Sequence, residues 1–129
     1  MQLGYVIIYV PDVEAAVGFY ERAFGIVRGF IHESGDYAQM TTGETALAFA
    51  SHRLGESAVP VPYTPLRKSD PPPGVELTLT DPQVAEAFSR AVAAGAEPVA
   101  APHETDWGQT VSYVRDPHGV LIGIASPMG

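Results

Sequence analysis

The chain has no cysteine among its 129 residues, which excludes disulfide staples, thiolate nucleophiles and cysteine zinc sites together. Basic residues are scarce: seven Lys and Arg stand against fifteen Asp and Glu, a formal net charge of −8. No basic cluster occurs, so nucleic acid and anionic membrane, which both need a positive footprint, are poor partners. A cationic or neutral small ligand is compatible with this charge. No apolar run is long enough to span a bilayer, and the chain opens on a strand pattern with no secretory leader ahead of it. These features lead us to expect a soluble cytoplasmic protein. Tryptophan occurs once, at Trp107. What remains is ordinary core material, 46% hydrophobic, in a chain long enough to bury about two-thirds of its unfolded surface as one domain.

The pattern of that core is written twice. Tyr5 to Val10 alternates residues that are apolar on both faces, the mark of a central strand. Asp12 then caps a helix whose stripe runs through Val13, Ala16, Val17, Phe19, Tyr20, Ala23 and Phe24, and Gly25 closes it. About seventy positions later Val75, Leu77 and Leu79 alternate, Asp81 and Pro82 open a second helix, and Gly95 ends it. Three strand candidates follow each helix: Val27 to Glu33, Tyr37 to Thr41 and Thr45 to Ser51, then Pro98 to Ala101, Thr110 to Arg115 and Val120 to Ala125. The last two are joined by Asp116-Pro117-His118-Gly119, in which Pro117 presets φ, Asp116 reaches the backbone two residues on and Gly119 takes the left-handed position. The expected fold class is α+β, two βαβββ modules forming a curved mixed sheet around a cleft within a single domain, 1–129. Module one covers about 1–54, module two about 75–129, and a linker of about 55–74, rich in proline from Pro60 to Pro73, tethers them or serves as a lid.

Val10-Pro11-Asp12, Phe19-Tyr20, Phe24-Gly25, the Asp81 to Gly95 helix, Trp107-Gly108-Gln109 and Arg115-Asp116-Pro117-His118-Gly119, in this order, resemble the vicinal oxygen chelate superfamily. It includes glyoxalase, fosfomycin- and bleomycin-resistance proteins and extradiol dioxygenases. Nearly the whole chain is covered. The resemblance implies that its enzymes' divalent metal would be held by His and Glu from several strands facing the cleft. Carried onto this chain, those places fall at Tyr5, near Phe49, around Gly74 or Val75 with Glu76 as the nearest donor, and at Gly123. One glutamate does not make a hard-metal site, and no histidine pair has metal-ligand spacing, so no metal and no other cofactor is expected.

Aromatic surface stands where ligands would. Period 2 places Tyr5, Ile7 and Tyr9 on one cleft face, Leu47, Phe49 and Ser51 on another, and Gln109, Val111 and Tyr113 on a third. Phe30, His32, Glu76, His103 and Trp107 complete the candidate ligand-binding set. No catalytic residue is expected. An aromatic-lined cleft with few polar handles suits a flat, partly apolar compound held by stacking. The resemblance then implies a metal-free, bacterial drug- or antibiotic-binding protein that confers resistance by sequestration, acting as a homodimer. The alternative is a lyase, isomerase or dioxygenase of the same superfamily with Glu76 as base or metal ligand. A subunit that only dimerises and regulates is a third possibility.

Overall fold

Asp12 does at the first helix what its position in the sequence predicts. Its backbone is extended, its carboxylate accepts a hydrogen bond from the Ala15 amide (3.0 Å), and α1 runs from Val13 to Phe24. Gly25 ends the helix in the left-handed conformation, φ 66°, which costs an L side chain strain and glycine nothing. In this computed structural model, which describes residues 1–128, α1 follows β1 (Tyr5–Val10) and precedes β2 (Val27–Ile31), β3 (Tyr37–Thr41) and β4 (Ala46–Ser51). Gly129, the end of the expected domain, lies outside the described residues.

The second module repeats the order: β5 (Glu76–Thr80), α3 (Val84–Ala93), β6 (Glu97–Glu104), β7 (Thr110–Arg115) and β8 (Leu121–Ala125). Its helix starts two residues later than the Asp81-Pro82 pair suggests. Asp81 instead accepts from the Gln83 amide (2.8 Å) in a turn, and the N-cap Gln83 makes no side-chain bond. Between the modules lies an element the alternation pattern did not reveal, α2 (His52–Ala58). Seven residues of mixed character carry no 3.6-residue stripe, so only a cap signal marks it. Ser51 supplies that signal by accepting from the Leu54 amide at 3.1 Å.

Each module holds one four-stranded sheet, ordered β1-β4-β3-β2 and β5-β8-β7-β6. The first and last strands of a module pair in parallel and the rest are antiparallel. β1 is thus the end strand of its own sheet and not a central one. A parallel pair needs a crossover, and α1 and α3 sit in those crossovers and cover one sheet face each. The chain divides into compact units between Pro65 and Leu66, inside the proline-rich stretch. Each half of that stretch belongs to one unit. Its first half packs with module one, and Lys68 of its second half accepts through its carbonyl from Arg115 Nη1 (3.1 Å).

The core of the first unit lies between α1 and the sheet. Tyr20 and Phe49 are fully buried there, ring centroids 4.9 Å apart, with Phe19 and Phe24 edge-on to their neighbours. Arg28 on β2 closes the edge of this layer by pairing with Glu14 and Glu21 of α1. In the second unit Ile122, Ile124 and Val114 form the corresponding buried row. The β7–β8 turn works as its residues suggest: Asp116 Oδ1 accepts from the amides of His118 and Val120, both at 2.9 Å, and Gly119 has φ 97°. No helix among the described residues is long and apolar enough to cross a membrane.

Phe49→Ala should therefore cost about 3–5 kcal/mol in urea unfolding, the loss typical of a buried aromatic. Tyr5→Ala, at a half-exposed position, should stay within about 0.5 kcal/mol. Equal losses at the two sites would contradict this assignment of faces.

Candidate functional site

Register decides which residues share a face. In the first sheet Tyr5 pairs with Ala46, Ile7 with Ala48 and Tyr9 with Ala50. Gln39 lies opposite Ala48, Tyr37 opposite Ala50, and Phe30 opposite Gln39. The face away from α1 therefore has an alanine floor with Tyr5, Ile7, Tyr9, Phe30, Tyr37 and Gln39 around it. Phe30 and Tyr37 are in ring contact (6.1 Å), and Gln39 Nε2 donates to the Tyr37 hydroxyl (2.8 Å). Tyr37 and Gln39 escaped the sequence-based set because β3 offers only five residues from which to choose a face.

Three members of that set move off this face. Leu47 pairs with Val6, Phe49 with Ile8 and Ser51 with Val10, so all three point to the helix side. β4 is buried on both faces, and alternation alone could not tell them apart. The bulky residues fill the space under α1, and the alanines face the other way. A one-residue shift in the choice of face exchanges the whole set. Ser51 has a structural task as well: its hydroxyl donates to Asp36 Oδ1 (2.8 Å) while capping α2. Hydrogen bonds from Arg53 and Ser51 hold the Asp36 carboxyl below its usual pKa. His32 stands beyond the end of β2 in a turn, where its Nδ1 meets the Ser34 hydroxyl (2.8 Å) and accepts from the Ser34 amide (3.1 Å).

The second sheet has the same geometry with different chemistry. Thr78, Gly123 and Tyr113 form one row across the face away from α3, with Ala100 beyond. Thr80, Ala125, Val111 and His103 form the next. Glu76 starts in the row with Leu121 and Arg115, but its carboxylate reaches sideways to accept from the Thr78 hydroxyl. Gly123 makes this possible. A Cβ there would fall on that carboxylate and lie 3.2 Å from Thr78 Oγ1. The carboxylate thus rests on a bare stretch of backbone, one strand from the Tyr113 ring. His103 Nδ1 is 2.9 Å from the Ala101 carbonyl, on a strand twice shifted in register.

Trp107 occupies the tip of the β6–β7 hairpin, closed by Thr105 and Gln109 with Gly108 at φ 85°. The ring is 69% exposed, so it is not core. Its Nε1 donates to Gln109 Oε1 (2.9 Å), and Gln109 Nε2 donates to the Ser126 carbonyl (2.7 Å). Gln109 is therefore engaged at both ends of its amide. It orients the indole. Glu76 and Arg115 are charged residues of this face.

Two parallel-paired βαβββ units, each with one sheet face turned away from its helix, define a class. The chain belongs to the Glyoxalase/Bleomycin resistance protein/Dioxygenase superfamily, whose model matches residues 2–124. Among solved structures it is similar to a glyoxalase-related enzyme from Fulvimarina pelagi, at 24% identity and TM-score 0.84, covering 100% of this chain and 93% of that one. TioX from Micromonospora sp. ML1 follows at 21% identity and TM-score 0.74, covering 99% and 100%. A superfamily member from Burkholderia phytofirmans PsJN is 22% identical at TM-score 0.72, again covering 99% and 100%. At these identities the likeness shows the fold alone. No curated protein matches.

The superfamily's metalloenzymes require convergent His and Glu donors, and this donor set does not fit them. Tyr5 and Gly123 offer no such donor, Phe49 faces α1, and Glu76 is bound to Thr78. Among the described residues no group of three or more His, Cys, Asp or Glu is placed to hold an ion.

Gly123→Ala tests the resting place of Glu76. Because the clash falls on the end of a flexible side chain, unfolding free energy should change by less than about 1 kcal/mol. The carboxylate should be displaced from Thr78, which changed side-chain NMR shifts of Glu76 and Thr78 would record. Unchanged shifts at both residues would show that the glycine does not set its position.

Proposed function

We propose that this chain is a metal-free small-molecule binding protein that sequesters a flat, partly aromatic compound, an antibiotic or related natural product, without transforming it. The observation that carries this reading is the composition of the sheet faces away from α1 and α3. Small residues make the floor of each face, Ala46, Ala48 and Ala50 in the first unit and Gly123 and Ala125 in the second, and rings stand beside them. Such a surface admits a planar group to van der Waals distance and stacks it, while a few polar groups orient it. Trp107 is an exposed ring already held in one orientation, so less ordering entropy opposes stacking on it. Glu76 provides a directional acceptor and favours a ligand bearing a donor or positive charge. Sequestration needs only reversible burial, and so needs no catalytic group.

A second reading takes Glu76 as the base of a lyase or isomerase. The observation behind it is the exposed carboxylate held by Thr78 and one strand from Tyr113. Recovery of unchanged compound after denaturation of the complex favours sequestration; its consumption favours the enzyme. We further propose a homodimer, since β2 and β6 are end strands with exposed apolar residues such as Val27, Phe30 and Val99. Light scattering should give twice the 13.7 kDa chain mass. A monomer at micromolar concentration would reject it.

Trp107 reports binding from one place. Planar quinone antibiotics should quench its emission saturably, and Trp107→Ala should weaken binding by about 1–3 kcal/mol, the scale of a lost stacked ring. Saturable binding by calorimetry with unchanged emission, surviving Trp107→Ala, would refute a role for this ring.

A further inference from the structure

Apart from the sheet faces, the first unit has an open pocket of about 510 Å³ built by α2 and the proline-rich segment after it. His52, Glu56 and Ser57 line it from the helix, and Val59, Pro60, Val61, Pro62, Tyr63 and Pro65 from the segment. Its volume falls in the range of small-molecule sites. The wall is held in place by specific contacts. Tyr63 stacks on Tyr9 with ring centroids 5.0 Å apart, and its hydroxyl is 2.7 Å from His52 Nδ1. The Tyr63 and His52 rings are stacked, centroids 5.8 Å apart and planes 26° from parallel, and both line the pocket. Gly55 is needed for this arrangement, because a Cβ there would come within 2.7 Å of the Tyr63 hydroxyl and 2.8 Å of the Tyr9 ring. The prolines limit the conformations open to the segment, so the wall is partly preorganised.

The charge of the lining selects its occupant. Glu56 is its one fixed charge, and no Lys or Arg lines the pocket. Glu56 and His52 are four residues apart on α2, hence on the same helical face. Burial, then the Glu56 carboxylate, then Tyr9 push the Tyr63 pKa above its usual value, so the phenol stays neutral. A carboxylate beside a π surface and an apolar proline wall has the features that recognise an organic cation. We propose that this pocket is a binding site for a small organic cation, an amine or quaternary ammonium on an apolar body, formed by Glu56, Tyr63 and His52. It does not depend on the sheet-face reading, since it shares no lining residue with the proposed stacking surface.

Benzyltrimethylammonium and its neutral isostere neopentylbenzene test the charge requirement on the full chain, read by backbone NMR shifts. The cation should shift His52, Glu56 and Tyr63 saturably and leave the Trp107 indole signal unmoved. The isostere should bind more weakly. Glu56→Gln, at an exposed position that leaves the fold intact, should lower cation affinity about threefold to tenfold and leave the isostere unaffected. Tyr63→Leu should weaken both. Equal affinity for the two probes, an unaffected Glu56→Gln variant, or shifts confined to Trp107 would overturn the proposal. None of these results bears on quinone quenching of Trp107, so the two sites fail separately.

Discussion

Everything else in each unit depends on the parallel pairing of its first and last strands. Placing Ile7 beside Ala48 and Thr78 beside Gly123 fixes which side chains lie under the helix and which face away. The helix side receives Ile8, Phe49, Ile122 and Ile124, all buried. The other side receives alanine, glycine and standing aromatics. A shift of one residue would put Phe49 in the open and the alanines under α1, leaving a void in the core where Tyr20 now packs. Stability and the candidate site are therefore two consequences of one register.

The two units then diverge chemically on this shared frame. In the first, the face away from the helix is aromatic and nearly uncharged, and its Tyr9 end is taken up by α2 and Tyr63. In the second, a glycine leaves room for a carboxylate, and a hairpin carries an exposed tryptophan steadied by a glutamine. Membership in the superfamily accounts for the frame and not for these differences, which lie in the individual side chains on each face. The family thus restricts the search to these faces while the side chains decide the chemistry. The alternatives of sequestration and proton transfer meet at Glu76, whose carboxylate could serve either.

The sequence by itself determined the order of elements, because each local signal has a local cause. Asp12 and Gly25 bound α1, and Asp116 and Gly119 shape the β7–β8 turn through bonds spanning two to four residues. The repeat of that order made the βαβββ modules legible, and Tyr5, Ile7 and Tyr9 were placed on one face correctly because β1 alternates in exposure. Only the tertiary structure decided the rest. β4 is buried on both faces, so no alternation told Phe49 from Ala48 until β1 and β3 were laid beside it. The Glu76 carboxylate over Gly123, and Tyr63 against Tyr9 and His52, join residues 47, 54 and 11 positions apart. Contacts of that span have no periodic trace, since they arise from where strands and segments meet and not from any repeat along the chain.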